Sequence, residues 1–288
     1  MLPWCSGNRM TLKFTERHTS HTALSFEVKE VLFWERSEYQ DIQVIFTPDW
    51  GKILILDGLV MLTEKDEFIY HEMIVHPPLL THPSPREVLV IGGGDGGAAR
   101  EILRHPEVEN IEVCEIDEKV IEVSRKFFPQ VAKSFSDSRV KINIRGGAGY
   151  LQEKREDFDV IIVDSTDPSA LSDELFTQDF YKNLHKALRE DGLGVLQSQS
   201  IMLTPGWVKK IFTGLRKVFP GVWLYLAPIP TYPGGIWSFT LVSKKYSPLE
   251  DFSLPRWEKI SSQLRYFNPS IHRASFDLPG FVKKILEE

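Results

Sequence analysis

Cysteine is nearly absent from this 288-residue chain: only Cys5 and Cys114 occur, far apart in sequence. That excludes a disulfide framework and a cysteine-based zinc spacing, and it makes the cytoplasm the expected compartment. Long apolar runs are missing too. The longest, residues 53–62, is broken by Asp57 and Gly58 and falls well short of the roughly 20 residues that a membrane span needs. The opening MLPWCSGNRM has no apolar core of signal-peptide length. Positive charge is not in surplus either, with 34 Lys and Arg against 40 Asp and Glu and a net charge of −6. Nucleic-acid binders leave a basic footprint, so neither nucleic acid nor membrane is an expected partner. A cationic small molecule is compatible with the balance, which does not by itself single one out.

What is present falls into two styles. Up to residue 62 short alternating runs such as Leu24-Ser-Phe-Glu-Val-Lys and Asp41-Ile-Gln-Val-Ile-Phe are separated by Gly and Pro, the pattern of antiparallel hairpins. Thr63 with Asp66 resembles a capping box, and the spacing predicts a helix over 68–75 stopped by Pro77-Pro78. Strands and helices then alternate: strands at 87–91, 111–116, 140–144, 158–163 and 194–197, helices through Leu103, over 118–128 and over 180–188, the last ended by Asp191-Gly192. Such alternation predicts an α/β fold, a mostly parallel Rossmann-like sheet of methyltransferase type. The expected division is a small N-terminal antiparallel β-hairpin domain over 1–62 and a catalytic domain over 63–288, with residues 1–9 a candidate extension ahead of Met10.

The strand at 87–91 runs into Gly-Gly-Gly-Asp-Gly-Gly, which contains Gly92-x-Gly94-x-x-Gly97 and opens a helix. Glycines there permit a tight turn and close approach of a ligand to the backbone. About twenty residues on, Glu115 ends the next strand, where a carboxylate can accept from both ribose hydroxyls. Together these predict a nucleoside site; glycines serving only a helix–strand junction are the structural alternative. Asp95 in the loop would repel a pyrophosphate, and less strongly the carboxylate of intact S-adenosylmethionine. It suits a decarboxylated, wholly cationic adenosyl sulfonium. Asp164 and Asp167 follow an apolar strand, at the sheet edge where open α/β folds bind ligands. Two carboxylates so close repel unless a cation or proton lies between them.

These segments, with Cys114-Glu-Ile-Asp117, Ile229-Pro-Thr-Tyr-Pro-Gly-Gly235, Tyr39-Gln-Asp-Ile42, Leu56-Asp-Gly58, Glu67-Phe-Ile-Tyr-His-Glu-Met73 and the closing Leu264-Arg-Tyr-Phe-Asn268 and His272-Arg-Ala-Ser-Phe276, resemble the spermidine synthases, the polyamine aminopropyltransferase family. The resemblance runs from about residue 10 to the end. It implies transfer of an aminopropyl group from decarboxylated S-adenosylmethionine, a co-substrate rather than a cofactor, to putrescine, with no metal. Implied nucleoside contacts are Gln43, Gly92, Gly94, Glu115, Gly146, Gly147 and, as a wall residue, Leu171. Asp95 and His71 would face an amine, Asp164 would be the catalytic base, and Asp167, Tyr70, Tyr232 and Gln197 would hold the acceptor. The family is typically oligomeric, so a homodimer or homotetramer is expected.

Three segments depart from the family pattern. Gly146-Gly147 stands where members often have Asp-Gly or Asn-Gly for the adenine, leaving backbone or Arg145 to compensate. Ser169-Ala170-Leu171 replaces a segment containing Gly-Pro, and neutral Gln199 stands where many members carry glutamate. The last change bears on the acceptor, for which agmatine, cadaverine and spermidine are alternatives to putrescine. Outside aminopropyl transfer the rivals are an S-adenosylmethionine methyltransferase and a non-catalytic nucleoside- or polyamine-binding protein. His71 and His76, five apart, do not share the helical face a zinc site needs.

Overall fold

The structure, a computed structural model, describes residues 11–167 and 172–287. Strands β1 (Leu12–Arg17) and β2 (Ala23–Val28) form an antiparallel hairpin in which Phe14 faces Phe26. A second, four-stranded antiparallel sheet takes β3 (Glu30–Arg36), β4 (Asp41–Thr47), β5 (Gly51–Leu56) and β6 (Leu59–Thr63) in chain order. Ile42, Val44, Leu54 and Leu56 share one face of it and pack on Val120 and Val123 of the larger domain. The two parts therefore share a core.

Helix α1 (Glu67–Thr81) leads into β7 (Glu87–Gly92), α2 (Gly97–Ile102), β8 (Asn110–Glu115), α3 (Glu118–Phe127), α4 (Pro129–Ala132), β9 (Val140–Ile144), α5 (Gly147–Gln152) and β10 (Phe158–Asp164). Then follow α6 (Gln178–Ala187), β11 (Leu188–Ser200), α7 (Pro205–Arg216), β12 (Gly221–Pro228), β13 (Ile236–Ser243), α8 (Leu254–Ile260), α9 (Pro269–Phe276) and α10 (Gly280–Glu287). The sheet has the order β12-β13-β11-β10-β7-β8-β9. Its β11, β10, β7, β8 and β9 run parallel, while β13 pairs antiparallel with both β11 and β12. This is the expected mostly parallel α/β sheet. Alternation along β7 sends Val88 and Val90 to the face covered by α1, and Leu89 and Ile91 to the face covered by α5, α6 and α7. Strand order reverses between β7 and β10, so their carboxyl ends open the crevice where such folds bind ligands.

Two expectations need correction. Helix α1 does not stop before Pro77-Pro78 but runs through both. Pro77 lacks the N–H that would bond the Met73 carbonyl, and the Tyr225 hydroxyl donates to that carbonyl instead, at 2.7 Å. Burial in the core then holds the helix together past the break. Likewise Asp191-Gly192 does not separate a helix from a short strand: β11 starts at Leu188 and carries both residues. Its register against β10 jumps between Phe158↔Leu188 and Val160↔Leu193, so an irregularity absorbs the turn signal.

Candidate active site

The site starts from a backbone constraint. Gly92 ends β7 with φ +82°, and a Cβ there would lie 2.1 Å from the Asp164 carbonyl oxygen. Only glycine lets β7 turn away so close to β10. The next amide, Gly93 N–H, donates to that same oxygen at 3.0 Å. The glycine loop and the Asp164 strand end are thereby tied together. Asp95 lies in the loop with Oδ1 accepting from Gly97 N–H at 2.6 Å, so the carboxylate takes an N–H at the helix start that a phosphate would need.

Around this junction lies a cavity of about 270 Å³ lined by Asp95, Glu115, Asp164 and Asp167, together with Tyr70 and Tyr232. Asp164 is held by one oxygen only. Its Oδ1 accepts from the Tyr70 hydroxyl at 2.6 Å, while Oδ2 is buried without a partner. Burial, with the charge of Asp95 adding to it, raises the Asp164 carboxyl to about 6 despite His71 and the Tyr70 hydrogen bond. Asp167 is also raised by burial, although its Oδ1 accepts from Gln199 Nε2 at 2.8 Å. Gln199 holds that position in the left-handed region, φ +77°, which is unusual for a non-glycine residue. Tyr232 packs on Trp237 and Tyr70, and its hydroxyl donates to the Met61 carbonyl at 2.7 Å, pinning the catalytic domain to β6.

Two of the lining residues that escaped the sequence reading bear directly on the site. Glu16 of β1 is 1% exposed and reaches the cavity, where burial, with the charge of Asp167 adding to it, raises it to about 7. Its signal was a carboxylate on the inward, Phe14 side of an alternating strand. Gln40 is the other, its Nε2 donating to Asp117 Oδ2 at 2.9 Å. Gln43, expected at the nucleoside, is not among the lining residues. Gln43 alternates with Ile42 and Val44 and so points to the opposite face of the sheet.

Other expected residues are placed differently. His71 does not line the cavity but sits behind Asp95, its Nε2 3.4 Å from Asp95 Oδ2. Gln197 lines the cavity, yet its Nε2 donates to the carbonyls of Ser165 and Thr166 at 3.2 and 3.3 Å, supporting the turn between the two aspartates. Gly92, Gly94, Gly146 and Gly147 all border the cavity. Arg145 does not turn towards it: its guanidinium pairs with Glu153 at 2.7 Å and stacks on Tyr150. Leu171 lies outside the described residues.

Residues 67–253 match the spermine/spermidine synthase domain, and residues 12–64 match the spermidine synthase tetramerisation domain. The chain belongs to the spermine/spermidine synthase family. A polyamine aminopropyltransferase of Thermoanaerobacter sp. (strain X514) is 46% identical over 281 residues, 97% of this chain and 100% of the relative. One of Bacillus mycoides (strain KBAB4) is 44% identical over 278 residues, 96% of this chain and 100% of the relative. Among solved structures, spermidine synthase from Thermotoga maritima superposes with a TM-score of 0.93 at 43% identity, covering 97% of this chain and 95% of that one. A spermidine synthase in complex with the transition-state analogue AdoDATO superposes with a TM-score of 0.95 at 43% identity, covering 97% and 96%. The protein is a polyamine aminopropyltransferase.

In this aminopropyltransferase Glu115 is raised to about 7, chiefly by burial, against lowering hydrogen bonds from the Asp117, Ile116 and Gly94 amides. A carboxylate accepts from two ribose hydroxyls, whereas a protonated carboxyl gives up an acceptor site to its own proton. With Glu115 at the ribose, as the resemblance implies, nucleoside affinity should be full above pH 7 and lost as pH falls through it. Methylthioadenosine should bind about tenfold more weakly at pH 6 than at pH 8, with proton release on binding. Calorimetry across that interval checks this; an affinity independent of pH would remove Glu115 from the ribose.

Proposed function

We propose that the enzyme transfers the aminopropyl group of decarboxylated S-adenosylmethionine to putrescine, giving spermidine and methylthioadenosine. The observation that carries the reading is the free, buried Oδ2 of Asp164 in a cavity with five further acidic side chains. The acceptor arrives as a dication. Asp164 takes the proton of one ammonium, and the freed lone pair attacks the propyl carbon beside sulfur. The C–S bond breaks with its electrons going to sulfur, so a neutral thioether leaves and the product is a secondary ammonium.

The proton is the obstacle. With solution values near 10.4 and 3.9, moving it from an alkyl ammonium to an aspartate costs roughly 9 kcal/mol. An Asp164 raised to about 6 reduces this to about 6 kcal/mol. Desolvation of the ammonium and the adjacent sulfonium both lower the amine and narrow the gap further. Tyr70 and Tyr232 flank the chain with aromatic rings, and the Tyr70 hydroxyl, donating to Asp164, keeps lone pairs for an amine. Asp167 and Glu16 hold the far ammonium. Glu115 holds the ribose, with Gly92, Gly94, Gly146 and Gly147 bordering the nucleoside and Asp95 facing the aminopropyl amine.

The neutral Gln199 takes one oxygen of Asp167, so one carboxylate oxygen there and Glu16 remain for the far amine. That favours a single terminal ammonium over agmatine's broad guanidinium or a third amine. We place the oligomer, a homodimer or homotetramer, on residues 12–64, where the edge strand β3 leaves Trp34 66% exposed. Compartment is proposed as cytoplasmic; among the described residues no helix is long and apolar enough to cross a membrane. The test is incubation with decarboxylated S-adenosylmethionine and putrescine, cadaverine, agmatine or spermidine, read by mass spectrometry. Putrescine should give spermidine and methylthioadenosine with the highest kcat/KM. A higher value for another amine would overturn the acceptor, and binding without turnover would overturn the mechanism.

A further inference from the structure

Behind the cavity runs a buried chain of alternating charges that the transfer step does not use. His71 Nδ1 lies 2.6 Å from Glu67 Oε2, one helical turn back on α1, and its Nε2 lies 3.4 Å from Asp95 Oδ2. A carboxylate beside each ring nitrogen favours the imidazolium, the one form with a proton on both. Glu67 is gripped in turn by Arg100 of α2, with two parallel bonds of 2.8 Å, and the same guanidinium donates through Nε to Glu101 at 2.8 Å. Arg100 is largely buried and His71 almost wholly so. The packing leaves the ring no other place: a Cβ on Gly97 would lie 2.2 Å from it.

We infer that Glu67 and Arg100 are positioning residues that keep His71 as a cation behind Asp95, and so keep the Asp95 carboxylate charged and aimed at the aminopropyl amine. The inference rests on the assignment of Asp95 to that amine. The groups facing His71 are Glu67 and Tyr70 from α1, Asp95 from the glycine loop, Arg100 from α2 through Glu67, and Asp164 from the end of β10. Balanced against burial, Asp95 and Glu67 hold His71 well above its ordinary value. Without that cation two buried carboxylates, Asp95 and Asp164, compete for one proton, and a protonated Asp95 offers an ammonium no charge. Arg100 supplies the geometry because its planar fork fixes both Glu67 oxygens, which a lysine ammonium does not.

The test separates this role from a structural one by its ligands. Methylthioadenosine lacks the aminopropyl amine, whereas decarboxylated S-adenosylmethionine carries it. Glu67→Gln should raise KM for the sulfonium roughly tenfold, the size of one lost charge-assisted contact, and leave methylthioadenosine affinity within about twofold. Arg100→Lys keeps the charge but not the fork, and should raise KM about threefold with the same ligand selectivity. In the unmodified free enzyme, histidine NMR with the His71 signal assigned by its loss in His71→Gln should show an imidazolium still present at pH 8. Glu67→Gln should return that ring towards an ordinary titration. If Glu67→Gln does not fold, the NMR of the unmodified enzyme and the Arg100→Lys split decide. A His71 that titrates near 6.5 in the unmodified enzyme would overturn the inference. So would variants that leave KM unchanged, or that weaken both ligands equally. The NMR and nucleoside readings need no acceptor, so they stand apart from the choice of putrescine.

Discussion

Replacing Asp164 by asparagine should lower kcat by roughly a thousandfold, within the range that a positioned general base contributes. The substitution removes one negative charge and the proton acceptor, and little else. An asparagine carbonyl oxygen still accepts from the Tyr70 hydroxyl, which at 2.6 Å fixes the side chain in the native enzyme. The turn remains tied to the glycine loop through the Asp164 main-chain oxygen, which a side-chain change does not touch. Methylthioadenosine is neutral and does not need the carboxylate, so its affinity should change by less than about threefold. Single-turnover kinetics alongside calorimetry with that nucleoside measure the two quantities separately. Comparable losses in both would mean that Asp164 builds the site rather than acts in it.

Glu115 should behave in the opposite way. Its carboxylate closes β8 beneath the glycine loop, with Oε1 accepting from Asp117 N–H at 3.0 Å, the Ile116 and Gly94 amides also directed at it, and the cavity beside it. Hydrogen bonds to an ionised group contribute about 1.5–3 kcal/mol each. Glu115→Gln keeps one carbonyl acceptor and turns the other towards a donor, so about 3 kcal/mol of nucleoside binding should disappear, roughly a hundredfold in affinity. At saturating sulfonium kcat should fall only a few-fold, because the ribose lies away from the reacting carbon. The free glutamine variant should also lose the dependence of methylthioadenosine affinity on pH through 7. A kcat that falls as steeply as the affinity would place Glu115 in the chemistry.

The pairing of the two variants reflects how much of the site was legible beforehand. Asp95, Glu115, Asp164 and Asp167 announce themselves because each sits at the carboxyl end of a strand or in the glycine loop, and chain direction in a parallel sheet brings those ends together. Gln43 was expected at the cavity but faces away from it, because its placement depends on the face of β4 and a strand inverts its face with every residue. The resemblance put His71 at the amine, but its ring lies between Glu67 and Asp95, against Gly97, and not in the cavity. Glu16 lay hidden because the hairpin that carries it meets the cavity only in three dimensions. Proline misled the reading of α1 for a related reason: the donor that replaces its missing N–H, Tyr225, comes from 152 residues away.

Local signals therefore identify the sheet and its acidic edge, while side-chain direction at that edge depends on partners that are distant in sequence. Arg145 illustrates the difference. Next to Gly146 it looked available to the adenine, yet Glu153, just past the end of α5, captures it on the exposed side. With Arg145 engaged by Glu153, discrimination between ligands should fall mainly on the acidic side chains of the cavity.

The most direct measurement follows from that charge. Intact and decarboxylated S-adenosylmethionine share the nucleoside and the sulfonium and differ by one carboxylate beside the amine. In a cavity lined by Asp95 and Asp164 that carboxylate is repelled, with like charges 4 Å apart costing about 4 kcal/mol at the effective dielectric near a protein surface before relaxation. Calorimetry at pH 8 should therefore show the decarboxylated form binding at least tenfold more tightly, a gap of about 1.4 kcal/mol or more. Equal affinities, or a preference for the intact form, would contradict an acidic cavity built for a wholly cationic aminopropyl donor.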